Sequence, residues 1–274
     1  MTKLIVVLGP TGSGKSELAV KLAKKFNGEI VSADSRQVYK EMDIGTGKIA
    51  KKEMKGIPHY LLDVTSPKTI FTVVQYRKLA LKALKKIFQR GKTPILCGGT
   101  GFYIQAVVDG IVIPEVSPNW KLRKKLEKKT VAELYKMLKK LDPQRAKTIE
   151  KKNPRRLIRA IEIVTKINGP VPILKKESLP YPVLMIGIKV SKEELKRRIT
   201  KRVKKMIKMG LEKEAKKFPV PVIGYQEWSS TNPQDLIIQH TLQYAKRQMT
   251  WFKRDKRVHW VKNCQETEKL VKEF

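Results

Sequence analysis

Short apolar runs alternate with stretches of helical periodicity along the first hundred residues. Residues 4–8 are all aliphatic and mostly β-branched, which is typical of a strand buried on both faces of a parallel sheet. A glycine-rich turn follows, and apolar residues then recur at helical spacing until residues 27–28. Residues 29–32 and 94–97 are predicted strands, with an amphipathic helix over 71–90 between them. This alternation predicts a parallel sheet with right-handed crossovers, which binds ligands at the carboxyl ends of its strands.

From about Val116 the pattern changes to short helices with strong start signals. The capping side chains that precede a first helical turn are Ser117, Thr130, Asp142 and Asn153. The core pattern then returns as a strand at 183–190, a helix from Ser191 to Gly210, a helix at about 235–253 and a strand at 258–261. We therefore predict an α/β core formed by residues 1–115 and 181–274, with residues 116–180 as an all-helical insertion.

The charge indicates a polyanionic partner. The chain has 60 basic and 25 acidic residues and a formal net charge of +35. Residues 120–180 are the densest part, with 19 basic and 6 acidic residues. Nucleic acid is the partner that such a charge favours. Since 46 of the 60 cations are lysines, a composition bias that only solvates the surface is the alternative.

Cysteine and histidine usage excludes two other classes of protein. Cys97 and Cys264 are too few for a disulfide framework, and the three histidines form no cluster with zinc-ligand spacing.

The start of the chain has no signal-peptide pattern, and no apolar run approaches the roughly 18 residues of a membrane span. We expect a cytoplasmic protein.

The turn after the first strand matches the P-loop pattern. Its residues are Gly9, Pro10, Thr11, Gly12, Ser13, Gly14, Lys15 and Ser16. Glycines let successive backbone N–H groups surround phosphate oxygens, the helix N-terminus adds its dipole, Lys15 supplies a charge, and the Ser16 hydroxyl can ligate magnesium. The loop predicts that phosphates bind there, but it does not say whether they belong to a nucleotide.

Two polar residues follow the next predicted strands at the same edge of the sheet. Asp34 can accept a proton or a hydrogen bond, or it can cap the segment that follows. Thr100, after two glycines, either closes a turn or touches a phosphate, and by itself it favours the turn.

Two basic helices are candidates for nucleic-acid contact. Arg155, Arg156 and Arg159 share part of one helix face, where they either grip phosphates or form a solvated face that Glu162 helps to neutralise. The second helix interleaves cations with aromatic residues, an arrangement that suits base stacking beside a backbone-binding stripe, although the aromatic residues could equally be core. Its residues are Tyr244, Lys246, Arg247, Gln248, Trp251, Phe252 and Arg254.

Taken together, these residues resemble the tRNA dimethylallyltransferase family, also called tRNA isopentenyltransferases. The resemblance spans nearly the whole chain. Its landmarks are residues 9–16, 34–39 with 43–46, 58–63, 98–103, 156–162, 209–211, 223–225, 244–248 and 251–252. Two departures are a shorter segment between Leu211 and Ile223 and Leu242 in place of a common arginine.

The resemblance implies an enzyme with a P-loop NTPase-like sheet that holds the diphosphate of dimethylallyl diphosphate on residues 9–16, with Mg²⁺ on Ser16. The prenyl group would pass to the N6 amine of the adenosine that follows the anticodon of tRNA. Catalytic roles would fall to Asp34, Thr100 and Lys15. The residues expected to contact the anticodon stem-loop are Asp34, Ser35, Arg36, Gln37, Thr100, Arg123, Arg155, Arg156, Arg159, Gly224, Tyr225, Lys246, Arg247, Gln248, Trp251 and Arg254. The family also favours a monomer.

Two other functions are compatible with parts of the sequence. A P-loop kinase of a small metabolite would have the same loop, but it explains neither the net charge of +35 nor the basic insertion. A non-catalytic RNA-binding protein with a relic P-loop explains the charge but needs no Asp34. Turnover with a prenyl donor and RNA, set against turnover with ATP, distinguishes these hypotheses.

Overall fold

The structure is a computed structural model that describes residues 3–112, 116–172, 175–177 and 179–274. The chain forms two compact units, which we call the core unit (Met1–Gly110 with Glu177–Phe274) and the helical unit (Ile111–Lys176). The helical unit begins and ends a few residues before the insertion expected at 116–180. Each unit has its own buried apolar cluster.

The first part of the core unit alternates strands and helices. In chain order it contains β1 (Leu4–Leu8), α1 (Lys15–Lys25), β2 (Gly28–Ser32), α2 (Lys51–Met54), β3 (His59–Tyr60), α3 (Val73–Gln89), β4 (Thr93–Gly98) and α4 (Gly101–Val108). The loop of residues 9–14 joins the buried β1 to α1. The strand–loop–helix arrangement that the P-loop pattern requires is therefore present.

The helical unit is built on four helices, and three of them begin at the capping residues expected from the sequence. Its elements are β5 (Ile111–Val112), α5 (Trp120–Leu126), α6 (Val131–Leu141), α7 (Pro143–Thr148), α8 (Pro154–Ile167) and β6 (Lys175–Lys176). The side chains of Thr130, Asp142 and Asn153 each accept a backbone N–H at the start of a helix. The first helix, α5, is capped by Asn119, whose side chain accepts from Leu122 N over 3.0 Å, and not by the expected Ser117. The antiparallel pair β5–β6 is a short addition to the expected all-helical unit.

The chain then returns to the core unit. Its remaining elements are β7 (Val183–Ile188), α9 (Lys192–Lys208), α10 (Leu211–Lys217), a 3₁₀ helix (Gln226–Ser229), α11 (Pro233–Phe252), β8 (Val258–Val261) and α12 (Cys264–Glu273). No helix among the described residues is long and apolar enough to cross a membrane.

The core unit contains one six-stranded sheet with the strand order β3-β2-β4-β1-β7-β8. Every neighbouring pair of its strands is parallel. Because parallel strands place their carboxyl ends at one edge, the P-loop after β1, Asp34 after β2 and Thr100 after β4 share that edge. The predicted α/β class, a parallel sheet flanked by helices, is confirmed.

The central strand β1 is buried on both faces, as its aliphatic run predicts. Leu4, Val6 and Leu8 pack in the apolar cluster that includes α3 and α4. Ile5 and Val7 pack on the other face, in the cluster that includes α1. Burial of each such side chain stabilises the fold by about 1.5–3 kcal/mol, so β1 is a firm anchor for the loop that follows it.

Candidate active site

The P-loop has the backbone conformation of a phosphate cradle. Gly12 and Gly14 adopt left-handed backbone angles, with φ of 79° and 91°, which only glycine adopts without strain. The Ser13 hydroxyl is buried and has no hydrogen-bond partner within the described part of the chain. Lys15 Nζ donates to Pro10 O over 3.4 Å. Burial lowers the pKa of Lys15, an effect that Cys97 and Asp34 oppose. The unpaired hydroxyl and the amides of the loop fit an anion.

Gln248 on α11 links the P-loop to the segment that follows β4. Thr11 N donates to Gln248 Oε1 over 2.8 Å, and Gln248 Nε2 donates to Gly99 O over 2.7 Å. The residue is only 6% exposed. The resemblance assigns Gln248 to tRNA contact, but both ends of its carboxamide bond the protein interior. These two hydrogen bonds tie the cradle to the segment that follows β4.

Asp34 and Thr100 meet where β2 and β4 end. Asp34 Oδ1 accepts a hydrogen bond from Arg36 N over 2.9 Å, so one carboxylate oxygen does cap the following turn. Thr100 Oγ1 accepts from Ser35 N over 3.0 Å, and Thr100 N donates to Ala33 O over 3.1 Å. The sequence left capping and chemistry as alternatives for Asp34. Since capping uses one oxygen, it leaves the carboxylate half-buried at the carboxyl edge of the sheet.

The charge of Asp34 acts on three tyrosines, Tyr76, Tyr103 and Tyr244. Burial, with a contribution from Asp34, raises the pKa of Tyr244 to about 12. Tyr103 stacks on Tyr76 with 3.8 Å between ring centroids, and burial raises the pKa of both. All three phenols are therefore neutral near pH 7 and act as hydrogen-bond donors or packing surfaces.

A cavity of about 750 Å³ opens beside the P-loop. The polar and charged residues that line it include Lys15, Ser16, Asp43, Lys48, Arg198 and Arg202. Arg198 Nη1 donates to Ser13 O over 3.0 Å. Burial lowers the pKa of Arg202, and the charge of Asp34 opposes this effect. Asp34 therefore interacts electrostatically with cations of the cavity wall.

Arg198 and Arg202 were not among the predicted site residues. They lie one turn apart on α9, and the sequence shows only that this helix is basic on its polar side. Their distance along the chain from the P-loop hides their role, since Arg198 bonds a residue 185 positions earlier. Both guanidinium groups are suited to a diphosphate because they present forked N–H donors to its oxygens.

The residues near Ser16 fit a metal only together with a phosphate ligand. Ser16 is exposed on the cavity wall. Within the described ranges, no three His, Cys, Asp or Glu side chains are arranged as a metal site. Magnesium is commonly held by few protein oxygens and by the phosphates of its substrate. The donor set therefore fits an Mg²⁺ ion that arrives with a diphosphate.

In the helical unit, a buried carboxylate occupies two of the predicted tRNA contacts. Arg123 Nε and Nη2 donate to the two oxygens of Glu162 over 2.8 and 2.7 Å, and Arg159 pairs with the same carboxylate. The Glu162 side chain is 1% exposed. Burial alone would raise the pKa of Glu162, but hydrogen bonds from Arg123, Arg159 and Asn119 N lower it to about 2. Arg123 and Arg159 are thus structural partners of Glu162, and their assignment to tRNA contact stays a prediction.

Gly224 and Tyr225, which the resemblance assigns to RNA contact, are also buried. Gly224 N donates to Glu227 Oε2 over 2.8 Å, and Tyr225 is 5% exposed. The Tyr225 hydroxyl donates to Glu214 Oε1 over 2.6 Å. Neither residue presents a polar group to solvent, so both belong to the support of the site.

The remaining predicted tRNA contacts lie on the surface of one unit or the other. On the helical unit, Arg155 and Arg156 are exposed, with Arg156 paired to Glu150 over 3.1 Å. The residues of the core unit that are exposed or half-buried are Ser35, Arg36, Gln37, Lys246, Arg247, Trp251 and Arg254. Trp251 makes an edge contact with Phe102, which is itself 38% exposed. These groups are placed where RNA can reach them.

The loop, the sheet edge and the cationic cavity define an α/β protein of the P-loop class with a phosphate-binding site. Comparison with known proteins identifies the family within this class. A family model described as IPP transferase matches residues 37–255. The chain belongs to the IPP transferase family, so the resemblance found in the sequence is confirmed.

Individual relatives extend the match over nearly the whole chain. The tRNA dimethylallyltransferase of Acetivibrio thermocellus is 38% identical over 99% of this chain and 96% of its own length. That of Halothermothrix orenii is 41% identical over 94% and 86%. The tRNA isopentenylpyrophosphate transferase structure from Bacillus halodurans is 37% identical, with a TM-score of 0.71 over 96% of this chain and 90% of that one. A eukaryotic dimethylallyltransferase, crystallised in work on its action on tRNA, is 30% identical with a TM-score of 0.75, over 92% and 70%.

Proposed function

We propose that this protein transfers the dimethylallyl group of dimethylallyl diphosphate to the N6 amine of the adenosine 3′-adjacent to the anticodon in tRNA, releasing diphosphate. The names of its relatives support this activity. The observation that carries the chemistry is the placement of Lys15, in the P-loop after β1, and Asp34, after β2, at the same carboxyl edge of the parallel sheet. In the proposed reaction Lys15 faces the leaving diphosphate and Asp34 takes the proton of the acceptor amine. Donor and acceptor can therefore meet in one site.

The donor diphosphate would lie in the loop of residues 9–16, on the backbone amides of Gly12, Gly14, Lys15 and Ser16 and beside the Lys15 side chain. Arg198 and Arg202 would face the same anion from α9, because both line the cavity that adjoins the loop. Negative charge develops on the departing oxygen as the allylic C–O bond breaks, and fixed cations and amides stabilise that charge. A magnesium ion held by Ser16 and the diphosphate would supply further neutralisation.

The acceptor amine would lie at Asp34. The adenine amine is a weak nucleophile because its lone pair is delocalised into the ring, so it attacks as the allylic carbon gains positive character. Its nitrogen forms the new C–N bond while its proton passes to the Asp34 carboxylate. Thr100, which accepts a hydrogen bond from Ser35 N beside Asp34, would help to orient the base. The adenosine must leave its stack to arrive there, at a cost of a few kcal/mol.

The exposed cations of each unit would hold the tRNA backbone. With a net charge of +35, the chain has a large excess of positive charge for phosphate contacts. We place Arg155 and Arg156 of the helical unit and Arg36, Lys246, Arg247 and Arg254 of the core unit in this role. We propose that the enzyme acts as a monomer, as the resemblance to the family favours.

A direct assay tests the activity. The purified protein is incubated with dimethylallyl diphosphate, Mg²⁺ and an anticodon stem-loop RNA, and the nucleosides are analysed by mass spectrometry. We expect an adenosine heavier by one dimethylallyl group and no hydrolysis of ATP in a parallel reaction. Phosphoryl transfer from ATP without prenylation would replace the proposal with the kinase alternative.

A further inference from the structure

A single carboxylate on α10 binds the backbone of a loop in the wall of the donor cavity. Glu214 Oε2 accepts from Asp43 N over 3.0 Å and from Ile44 N over 2.9 Å. Glu214 Oε1 accepts from Gly45 N over 2.9 Å and from the Tyr225 hydroxyl over 2.6 Å. Three consecutive amides and one phenol thus point at one anion, an arrangement in which each hydrogen bond is strengthened by charge.

The other end of the same loop contacts Arg202. Arg202 Nη2 lies 3.5 Å from Thr46 O and 3.4 Å from Gly47 O. A side chain at Gly47 would collide with the guanidinium, so backbone and arginine are closely packed. Glu214 therefore fixes the first half of a loop whose second half supplies the carbonyl partners of Arg202.

We propose that Glu214 is a positioning residue for the prenyl donor: it fixes loop 43–47 and, through the Thr46 and Gly47 carbonyls, holds Arg202 towards the diphosphate. This inference rests on the proposed function. The Tyr225 hydroxyl is the fourth hydrogen-bond donor to Glu214, and we call Glu214 with its four donors the clamp. Burial and Glu214 raise the pKa of Tyr225, so its hydroxyl keeps the proton that it donates.

The test compares Glu214→Gln with Glu212→Gln. Glu212 lies on the same helix, is half exposed and pairs only with Lys216 within the described residues. A glutamine at 214 replaces one accepting oxygen by an NH₂ group that cannot accept from the loop amides. We expect the KM for dimethylallyl diphosphate to rise about tenfold, with kcat and tRNA affinity within about twofold of the parent, since only donor binding is weakened. Glu212→Gln should match the parent in all three.

A double-mutant cycle separates positioning from a merely structural role. If Glu214 acts through Arg202, Glu214→Gln adds little to the rise in donor KM that Arg202→Ala causes. Independent, additive effects on the donor KM would overturn the inference, as would a parent-like KM in Glu214→Gln. Tyr225→Phe, which removes one of four donors, should raise the KM about threefold and decides the matter if Glu214→Gln does not fold.

The two proposals fail separately. If the parent protein transfers no prenyl group, the proposed function falls, and titration with inorganic pyrophosphate then tests the clamp alone. Weaker pyrophosphate binding by Glu214→Gln than by Glu212→Gln supports the clamp. Equal binding by the two variants contradicts it.

Discussion

Asp34 serves two purposes because a carboxylate has two oxygens. Oδ1 accepts from Arg36 N and so fixes the turn after β2. This local bond sets the side chain at the sheet edge, where its charge also acts on Lys15 and Arg202. A residue that is held by its own turn loses little entropy when substrate arrives, which is what a positioned base requires.

Replacement of this carboxylate should affect catalysis and spare binding. We expect Asp34→Asn to keep the turn, because an amide oxygen still accepts from Arg36 N, and to lower kcat about 10²–10³-fold through loss of the base. Affinity for the stem-loop RNA should stay within about twofold of the parent. Single-turnover prenylation and RNA titration measure the two quantities, with exposed Glu41→Gln as the control. A fully active Asp34→Asn would remove Asp34 from the mechanism.

At the scale of elements, α11 presents a buried face to the cradle and an exposed face to solvent. Gln248 bonds Thr11 and Gly99 inside, while its neighbour Arg247 is exposed and lies over the Tyr244 ring at 5.8 Å. Periodicity predicts the helix but does not identify which polar residue turns inward. That choice depends on hydrogen bonds across 149 and 237 positions of chain.

These two neighbours should give opposite phenotypes. Gln248→Ala leaves a loop amide and a carbonyl unpaired, so we expect a loss of about 1–3 kcal/mol in the free energy of unfolding and a higher donor KM. Arg247→Ala should leave stability unchanged and weaken RNA binding. Thermal unfolding, donor kinetics and RNA titration are measured on both variants. The assignment of α11 is wrong if Gln248→Ala weakens RNA binding while its stability stays that of the parent.

The helical unit depends on Glu162 in a way that pH reveals. Its pKa is lowered to about 2 from 4.5, so the stabilisation it provides is fully present above 4.5 and is lost as the pH falls through about 2. We expect Glu162→Gln to cost about 3 kcal/mol at pH 7, because two arginines lose a buried partner. Urea unfolding should show this difference shrinking below pH 4.5.

Glu150→Gln is the matched control for this experiment. Glu150 also pairs with an arginine of α8, but both side chains are 55% exposed. Water screens such a pair, so its loss should change the free energy of unfolding by less than about 1 kcal/mol. If Glu162→Gln and Glu150→Gln lower the free energy of unfolding equally, the buried ion pairs of Glu162 do not stabilise the helical unit as proposed.

Elements with a clear period were predictable, and short ones were not. β1, α3, α9 and β8 were expected from continuous apolar runs or helical spacing, and each lies within a few residues of its predicted bounds. β3 has only two residues and α2 only four, too few for any period. α4 begins at Gly101, a residue that disfavours helix, and is formed through tertiary packing of Tyr103 and Ile104. α12 was not predicted, although its capping residue Asn263, which accepts from Glu266 N, is visible in the sequence.

The site divides in the same way. Lys15 was predictable from the P-loop pattern, and Asp34 and Thr100 were predictable because each lies just after a strand of a parallel sheet. Arg202 and Glu214 were not, because their partners lie in a loop more than 150 positions earlier. Arg123 and Arg159 look like surface cations in the sequence, and only the structure brings both to buried Glu162. Local spacing therefore predicts the cradle, whereas long-range contacts decide its supports.

At the scale of the molecule, the net charge of +35 predicts strongly salt-dependent RNA affinity. Arg155→Ala with Arg156→Ala should weaken binding and flatten the slope of log affinity against log salt by about 0.7–0.9 per lost phosphate contact. Titrations of the stem-loop RNA from low to moderate salt measure the slope.

Lys269→Ala with Lys272→Ala removes the same charge from α12. This helix ends at Glu273, and Val271 and Phe274 line a pocket with Lys3 and Thr93 at the amino ends of β1 and β4, away from the P-loop edge. For this double variant, the slope of log RNA affinity against log salt should equal that of the parent. Equal flattening in both double variants would mean that total charge, and not the face of α8, determines RNA binding.

The central claim is that the P-loop holds a prenyl diphosphate in front of Asp34. The most direct measurement is a crystal structure of the protein soaked with an unreactive analogue of dimethylallyl diphosphate and, separately, with ATP. We predict diphosphate density on the amides of residues 12–16 beside Lys15, with the allylic carbon directed to Asp34. An empty loop in the first crystal and a well-ordered ATP in the second would contradict the account.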